Sequence, residues 1–177
     1  MMTKELWDAY DREGNLLGFD LVRGEPLPEG VYHLVVEILA VTNDGQVLLT
    51  QRHPDKHWGD LWEYTGGGVL KGETPEAGAL RELREETGIA VSLEDLLPVY
   101  RDSSWEGQPS IYHSFVAFFD PAEQTIRLQK GETVDYTLLP YEAFKRFLLE
   151  ERFVDVVRRR FLAHQDAFDR IIQAHFR

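Results

Sequence analysis

Cysteine is missing from this chain of 177 residues, which excludes disulfides, thiolate metal sites and a cysteine nucleophile. No run of 18 apolar residues is present, so nothing reads as a membrane-spanning helix. The opening MMTKELWDAYDREG carries acids where a signal peptide needs a basic and then an apolar stretch, and the chain reads as cytoplasmic. Repeats, low-complexity tracts and an internal linker are also lacking, so a single structural domain is expected. Positive charge is scarce: 19 Lys and Arg stand against 31 Asp and Glu, a formal net charge of -12. Such a surface repels polynucleotide phosphates, and a nucleic acid polymer is not an expected partner. A small polyanionic substrate would instead need a local basic patch or bound metal.

What is present fits a globular protein, with 43% hydrophobic and 12% aromatic residues supplying a core. Residues 5–23 read as two strands joined at Asp11–Asn15, and GEPLPEG (24–30) is a turn-rich connector. VYHLVVEILAV then gives a buried strand, Asn43–Gly45 a turn and QVLLTQR a second strand. VSLEDLLPVYRDS and IYHSFVAFFD are strands flanking the loop SSWEGQPS, which is expected to form a lip; TIRLQKGETVDYTLLP continues the strand pattern into Pro140. Residues 141–177 turn helical, with Phe144, Phe147, Leu148, Phe153, Val156, Val157, Phe161, Phe168, Ile171 and Ile172 in an apolar stripe. Strands, one central helix and closing helices predict an α/β (α+β) fold, an α/β/α sandwich around a mixed sheet. The hairpin and connector occupy 1–30, and 31–177 form the main domain with its C-terminal helices.

The densest signal lies at 67–89, GGVLKGETPEAGALRELREETGI. Thr74-Pro75 opens a helix with a capping hydroxyl and a proline at the first helical position, and Gly88 closes it. Along that helix Glu82, Glu85 and Glu86 stand at i, i+3 and i+4, so three carboxylates share one face while Leu80 and Leu83 turn to a core. Hard oxygen ligands at this spacing suit Mg2+ or Mn2+. Gly66–Gly68 are expected to turn tightly and to let a ligand approach the backbone.

Gly67, Glu73, Arg81, Glu82, Leu83, Glu85, Glu86, Gly88 and Ile89 match all nine defined positions of G-x5-E-x7-R-E-U-x-E-E-x-G-U, the box of the Nudix hydrolases, which the chain thereby resembles. The resemblance implies a metal-dependent hydrolase of diphosphate linkages with the Nudix sandwich fold. It implies metal at Glu82, Glu85 and Glu86, with the carbonyl of Gly66 a further ligand. Arg81 and Glu73 would be a pair that orients the loop against the helix. Nudix enzymes also draw a carboxylate from outside the box; Glu132 is the candidate base, with Asp135 and Glu106 as runners-up. Glu85, Glu132, Arg81 and Glu73 make up the catalytic candidates.

ELWDAYDREGNLLG, VYHLVVEILAV and QRHPDKHWGDLWEYTGGG further resemble the Nudix branch of isopentenyl-diphosphate isomerase, over roughly residues 5–142. At the isomerase's cysteine and one of its histidines this chain has Gly66 and Gly68, and only His33 matches a ligand position. The alternatives are thus an isomerase-like enzyme or a non-catalytic ligand-sensing domain, but all four box glutamates are kept. The expected substrate is a small diphosphate, a nucleoside diphosphate linked to another group, with Trp58, Trp105 and Tyr112 as stacking candidates and Trp62 matching the branch's tryptophan pattern. The hairpin and the apolar C-terminal stripe predict a homodimer.

Overall fold

The computed structural model describes residues 4–104 and 108–177. Its centre is β3 (His33–Thr42), where HLVVEILAVT is buried on both faces apart from Val35. Successive side chains of a strand point to opposite faces, so Leu34, Val36, Ile38 and Ala40 enter one core and Leu39 and Val41 another. Parallel β8 (Ser110–Phe119) runs beside β3 over its whole length, His33 against Ser110 through Thr42 against Phe119. The rest of the sheet is β4 (Gln46–Arg52), β5 (Trp62–Glu63) and β7 (Leu96–Ser104), in the order β5-β4-β3-β8-β7. Two strands branch from this path: β6 (Thr65–Gly68) pairs with the first half of β3, and β9 (Thr133–Pro140) with β4.

Helix α1 (Pro75–Thr87) covers one face, placing Ala79 and Leu83 on Val36, Ile38, Phe115 and Ala117. The opposite face is covered by α2 (Tyr141–Phe147), α3 (Asp155–Ala163) and α4 (Gln165–His175). Phe161 anchors that layer, edge-on to Phe144 at 5.1 Å and stacked on Phe168 at 4.6 Å. The expected sandwich around a mixed sheet is therefore the observed one, and no helix among the described residues is long and apolar enough to cross a membrane.

β1 (Leu6–Tyr10) and β2 (Leu16–Val22) form the N-terminal hairpin. Tyr10 and Tyr32 exchange backbone hydrogen bonds of 2.9 and 2.8 Å, and the loop before α1 is pinned where Lys71 N–H donates to the Leu6 carbonyl and Gly72 N–H to Asp8. The C-terminal stripe that prompted the homodimer expectation is taken up within one chain: Phe144, Phe147, Phe153, Phe161, Phe168 and Ile172 are buried on the sheet. Leu6, Leu16, Leu17 and Phe19 of the hairpin stay exposed.

Three local expectations are corrected. Leu93–Asp95 is a 3-10 turn, and the strand expected from residue 91 begins at Leu96. Residues 125–132 lie outside strands, which begin again at Thr133; Gly131, with a positive φ of 83°, precedes that start. Gly66–Gly68 do not turn: they are the strand β6, with φ outside the left-handed region. Glycine is required there by crowding, because a Cβ at Gly66 would lie 2.9 Å from the Val36 carbonyl and one at Gly67 would lie 2.3 Å from the Glu82 carboxylate.

Candidate active site

Thr74 caps α1, its hydroxyl accepting from Ala77 N–H at 3.1 Å, Pro75 fills the first turn, and Gly88 ends the helix at φ 76°. With both ends fixed, the Glu82–Glu85–Glu86 face is aimed at β6. Those three glutamates line a cavity of about 360 Å³ together with Gly66, Arg81 and Glu132. Of the expected site residues, only Glu73 stands behind the wall, where it holds Arg81.

Arg81 is the hub. Its guanidinium makes a bidentate pair with Glu73 (2.7 and 3.0 Å), donates to the Gly68 carbonyl at 2.9 Å, and reaches Glu82 at 2.8 Å and Glu85 at 3.2 Å. Glu73 also accepts from Leu70 N–H at 2.9 Å. Burial pushes the Glu73 carboxyl up, but Arg81 and that N–H outweigh it and hold it below its ordinary range. The expected Arg81–Glu73 pair is thus present, joining the box loop, β6 and the helix.

Glu86 differs from its neighbours. Its backbone carbonyl accepts from Gln129 N–H at 3.2 Å, but its carboxylate has no hydrogen-bond or ion-pair partner among the described residues, and burial, then Glu63 and Glu82, push that carboxyl well up. Glu82 is raised too, by burial, against the pull of Arg81. Among the described residues no three acidic or histidine side chains already converge as a metal cluster. Arg81 draws Glu82 and Glu85 to itself. The donors are nonetheless hard oxygens on one wall, and the unpartnered Glu86 carboxylate is the kind of group a divalent cation satisfies. The residues fit such an ion.

Glu132 reaches the cavity from the turn before β9, but its carboxylate is ion-paired with Lys56. Asp135 does not join them; it faces Gln51 across the β4–β9 ladder and accepts from Tyr136 N–H. Glu106 and Trp105 lie outside the described residues. Sequence reasoning missed Arg23, Arg52, Lys56 and Glu63, which also line the cavity. Arg52 bonds Glu63 and donates to the His57 carbonyl at 2.8 Å. No periodicity marks these residues, because the connection between β4 and β5 and the end of the hairpin bring them in.

His33 is packed: its ring stacks under Trp7 at 4.1 Å, Nε2 lies 2.9 Å from the Ser110 hydroxyl, and burial lowers its pKa to about 4. Trp62 sits edge-on to Phe147 within the helix-side core. Tyr112 lies beneath the Arg160 guanidinium, 4.0 Å from the ring centroid.

A family model described as NUDIX domain matches residues 31–164. An uncharacterized Nudix hydrolase of Listeria monocytogenes is 38% identical over 152 residues, covering 85% of this chain and 88% of its own. Among solved structures, a protein of Deinococcus radiodurans superposes with a TM-score of 0.69 at 21% identity, over 88% of this chain and 98% of that one. A bifunctional NMN adenylyltransferase/ADP ribose pyrophosphatase of Francisella tularensis, solved with AMP and a manganese ion, gives a TM-score of 0.60 at 20% identity, over 77% of this chain and 42% of that one.

Proposed function

This chain belongs to the Nudix family of pyrophosphohydrolases, and on that premise we propose that it cleaves the diphosphate bridge of a nucleoside diphosphate linked to another group, using Mg2+ or Mn2+. The observation that carries the reading is Glu86, whose carboxylate has no hydrogen-bond or ion-pair partner among the described residues and lines the box cavity with Glu63, Glu82 and Glu85. Glu82, Glu85, Glu86 and the Gly66 carbonyl would hold the metal. When bound, the cation neutralises diphosphate oxygens and lowers the pKa of a coordinated water.

The chain's own residues supply the rest. Arg81, braced by Glu73, keeps the helix face registered against β6 as substrate enters. Arg23 and Lys56 are cations lining the same cavity as the carboxylates, and they receive the phosphate oxygens. Lys56 exchanges Glu132 for substrate, which frees the Glu132 carboxylate to take a proton from the attacking water. A water–phosphorus bond forms, the bridging oxygen–phosphorus bond breaks, and the second phosphate-bearing half departs.

Turnover of nucleoside triphosphates, diphosphate sugars, ADP-ribose and prenyl diphosphates, each with Mg2+ or Mn2+, tests the reading. The expected result is hydrolysis of a nucleoside diphosphate derivative that stops on chelation; release from none of the panel overturns it. A homodimer through the exposed hairpin face belongs to the same proposal, and a light-scattering mass near 20.5 kDa, one chain, would remove it.

A further inference from the structure

On the N-terminal hairpin, Asp8 of β1 and Asp20 of β2 stand directly opposite each other in register. Like charges at such a pair destabilise a hairpin left to itself. Each carboxylate instead meets a group of one turn, residues 70–73, in the loop before α1. Asp8 Oδ2 accepts from Gly72 N–H at 2.7 Å, and Asp20 Oδ2 from Lys71 Nζ at 2.7 Å. The Leu6 carbonyl, also on β1, accepts from Lys71 N–H at 2.8 Å.

That turn seats Glu73. Glu73 N–H donates to the Leu70 carbonyl at 3.0 Å, and the Glu73 carboxylate accepts from Leu70 N–H at 2.9 Å, with Gly72 between them at a φ of 80°. The N–H groups of Lys71 and Gly72, the two central residues, find no acceptor inside the turn. An unsatisfied backbone donor is costly away from water, and both are satisfied by β1. The Glu73 carboxylate in turn holds the Arg81 guanidinium at 2.7 and 3.0 Å. Contacts therefore run unbroken from Asp8 through Gly72 and Glu73 to Arg81, although neither Asp8 nor Gly72 lines the box cavity.

The same strand grips the end of β6. Trp7 packs on Gly68 so closely that a Cβ there would lie 3.0 Å from the indole Nε1. Trp7 also lines, with Trp58, Tyr112 and the Glu37–Arg160 pair, a second, aromatic cavity of about 480 Å³ that shares Gly66–Gly68 with the box cavity.

We propose that Asp8 is a positioning residue of the hydrolase: with Asp20 it clasps the turn 70–73 and so fixes the Glu73–Arg81 pair that holds the glutamate face of α1 against β6. The inference rests on the diphosphate-hydrolase reading and gives the hairpin a part in turnover as well as in the fold.

The test is steady-state kinetics on the diphosphate compound that the wild type hydrolyses best, at saturating Mg2+, with thermal unfolding and backbone amide hydrogen exchange read on the same proteins. Asp8→Ala should lower kcat about 10-fold, the low end for a group that supports a ligand from behind, with KM nearly unchanged and faster exchange at Gly72 and Leu70. Asp8→Asn keeps an acceptor for Gly72 N–H and should recover most of that loss. Asp20→Ala, which removes only the ion pair to Lys71, should cost less. In a Glu73→Ala background the Asp8→Ala loss should vanish, because its effect runs through a carboxylate already absent. Losses that multiply in the double variant overturn the proposal, as does a lowered Tm with kcat intact, the pattern of a role in stability alone. Should Asp8→Ala fail to fold, Asp20→Ala in the same two backgrounds decides by the same criterion. Unchanged exchange at Leu70 overturns the clasp and leaves diphosphate hydrolysis standing, whereas a wild type inert on every compound overturns both.

Discussion

The box cavity and the aromatic cavity share a wall, yet they are assembled in opposite ways. In the first, Arg81, Glu82, Glu85 and Glu86 come from two turns of one helix and Gly66–Gly68 from the strand just before it, with Arg23, Lys56 and Glu132 added from other segments. In the second, Glu37, Trp58, Tyr112 and Arg160 come from β3, a loop, β8 and α3. The first concentrates carboxylates against the guanidinium of Arg81; the second pairs Arg160 with Glu37. The contrast teaches how differently the two are specified: short-range helical geometry fixes the glutamates of the first, and the packing of distant segments gathers the second.

Substitutions in each cavity sharpen that division. Glu86→Gln should have the largest effect, lowering kcat by at least ~10²-fold, a modest part of what phosphoryl-transfer electrostatics supply. Near wild-type turnover in a metal-saturated assay would break the assignment. Glu132→Gln should cost roughly 10²-fold and remove the acidic limb of the pH–rate profile, the signature of a lost base. An unchanged limb would transfer the role to another group, with Glu63, a half-buried carboxylate lining the same cavity, the next candidate.

Gly67→Ala should cost less, about 10-fold, because its Cβ would displace the flexible end of Glu82 and not the backbone. Thermal unfolding should be little altered, so a large drop in Tm would mean the glycine serves the fold more than the site. The smallest effect on turnover is expected at His33, where stability is the readout. Burial lowers its pKa from 6.5 to about 4, so the unfolded chain binds a proton that the folded chain refuses. Stability contributed by neutral His33 is complete above pH 6.5 and lost as pH falls toward 4, about 3 kcal/mol in all. Urea unfolding at pH 7 and pH 4.5 should show His33→Gln with a shallower acid dependence than the wild type; equal slopes would assign the loss elsewhere.

The helix from Thr74 to Gly88 was legible because its cap, proline, carboxylate spacing and closing glycine are all short-range signals. The two-sided burial of VYHLVVEILAV likewise gave a central strand, and alternating side chains explain why Glu37 and Leu39 share a face while Val36 turns away. Gly66–Gly68 were harder: glycines suggest a turn, and only the approach of Val36 and Glu82 shows why a strand needs them.

The sequence by itself determined the chemistry of one wall, since residues three and four apart on a helix face the same way whatever surrounds them. It also determined the layers, through the period of two in the strands and the apolar stripe of the C-terminal helices. Only the tertiary structure decided that Lys56 meets Glu132, that Arg52 braces both Glu63 and His57, and that Arg160 reaches Glu37 from 123 residues away. Those contacts join segments whose separation in sequence carries no fixed distance in space, so they exist only once the sheet and its helices have packed.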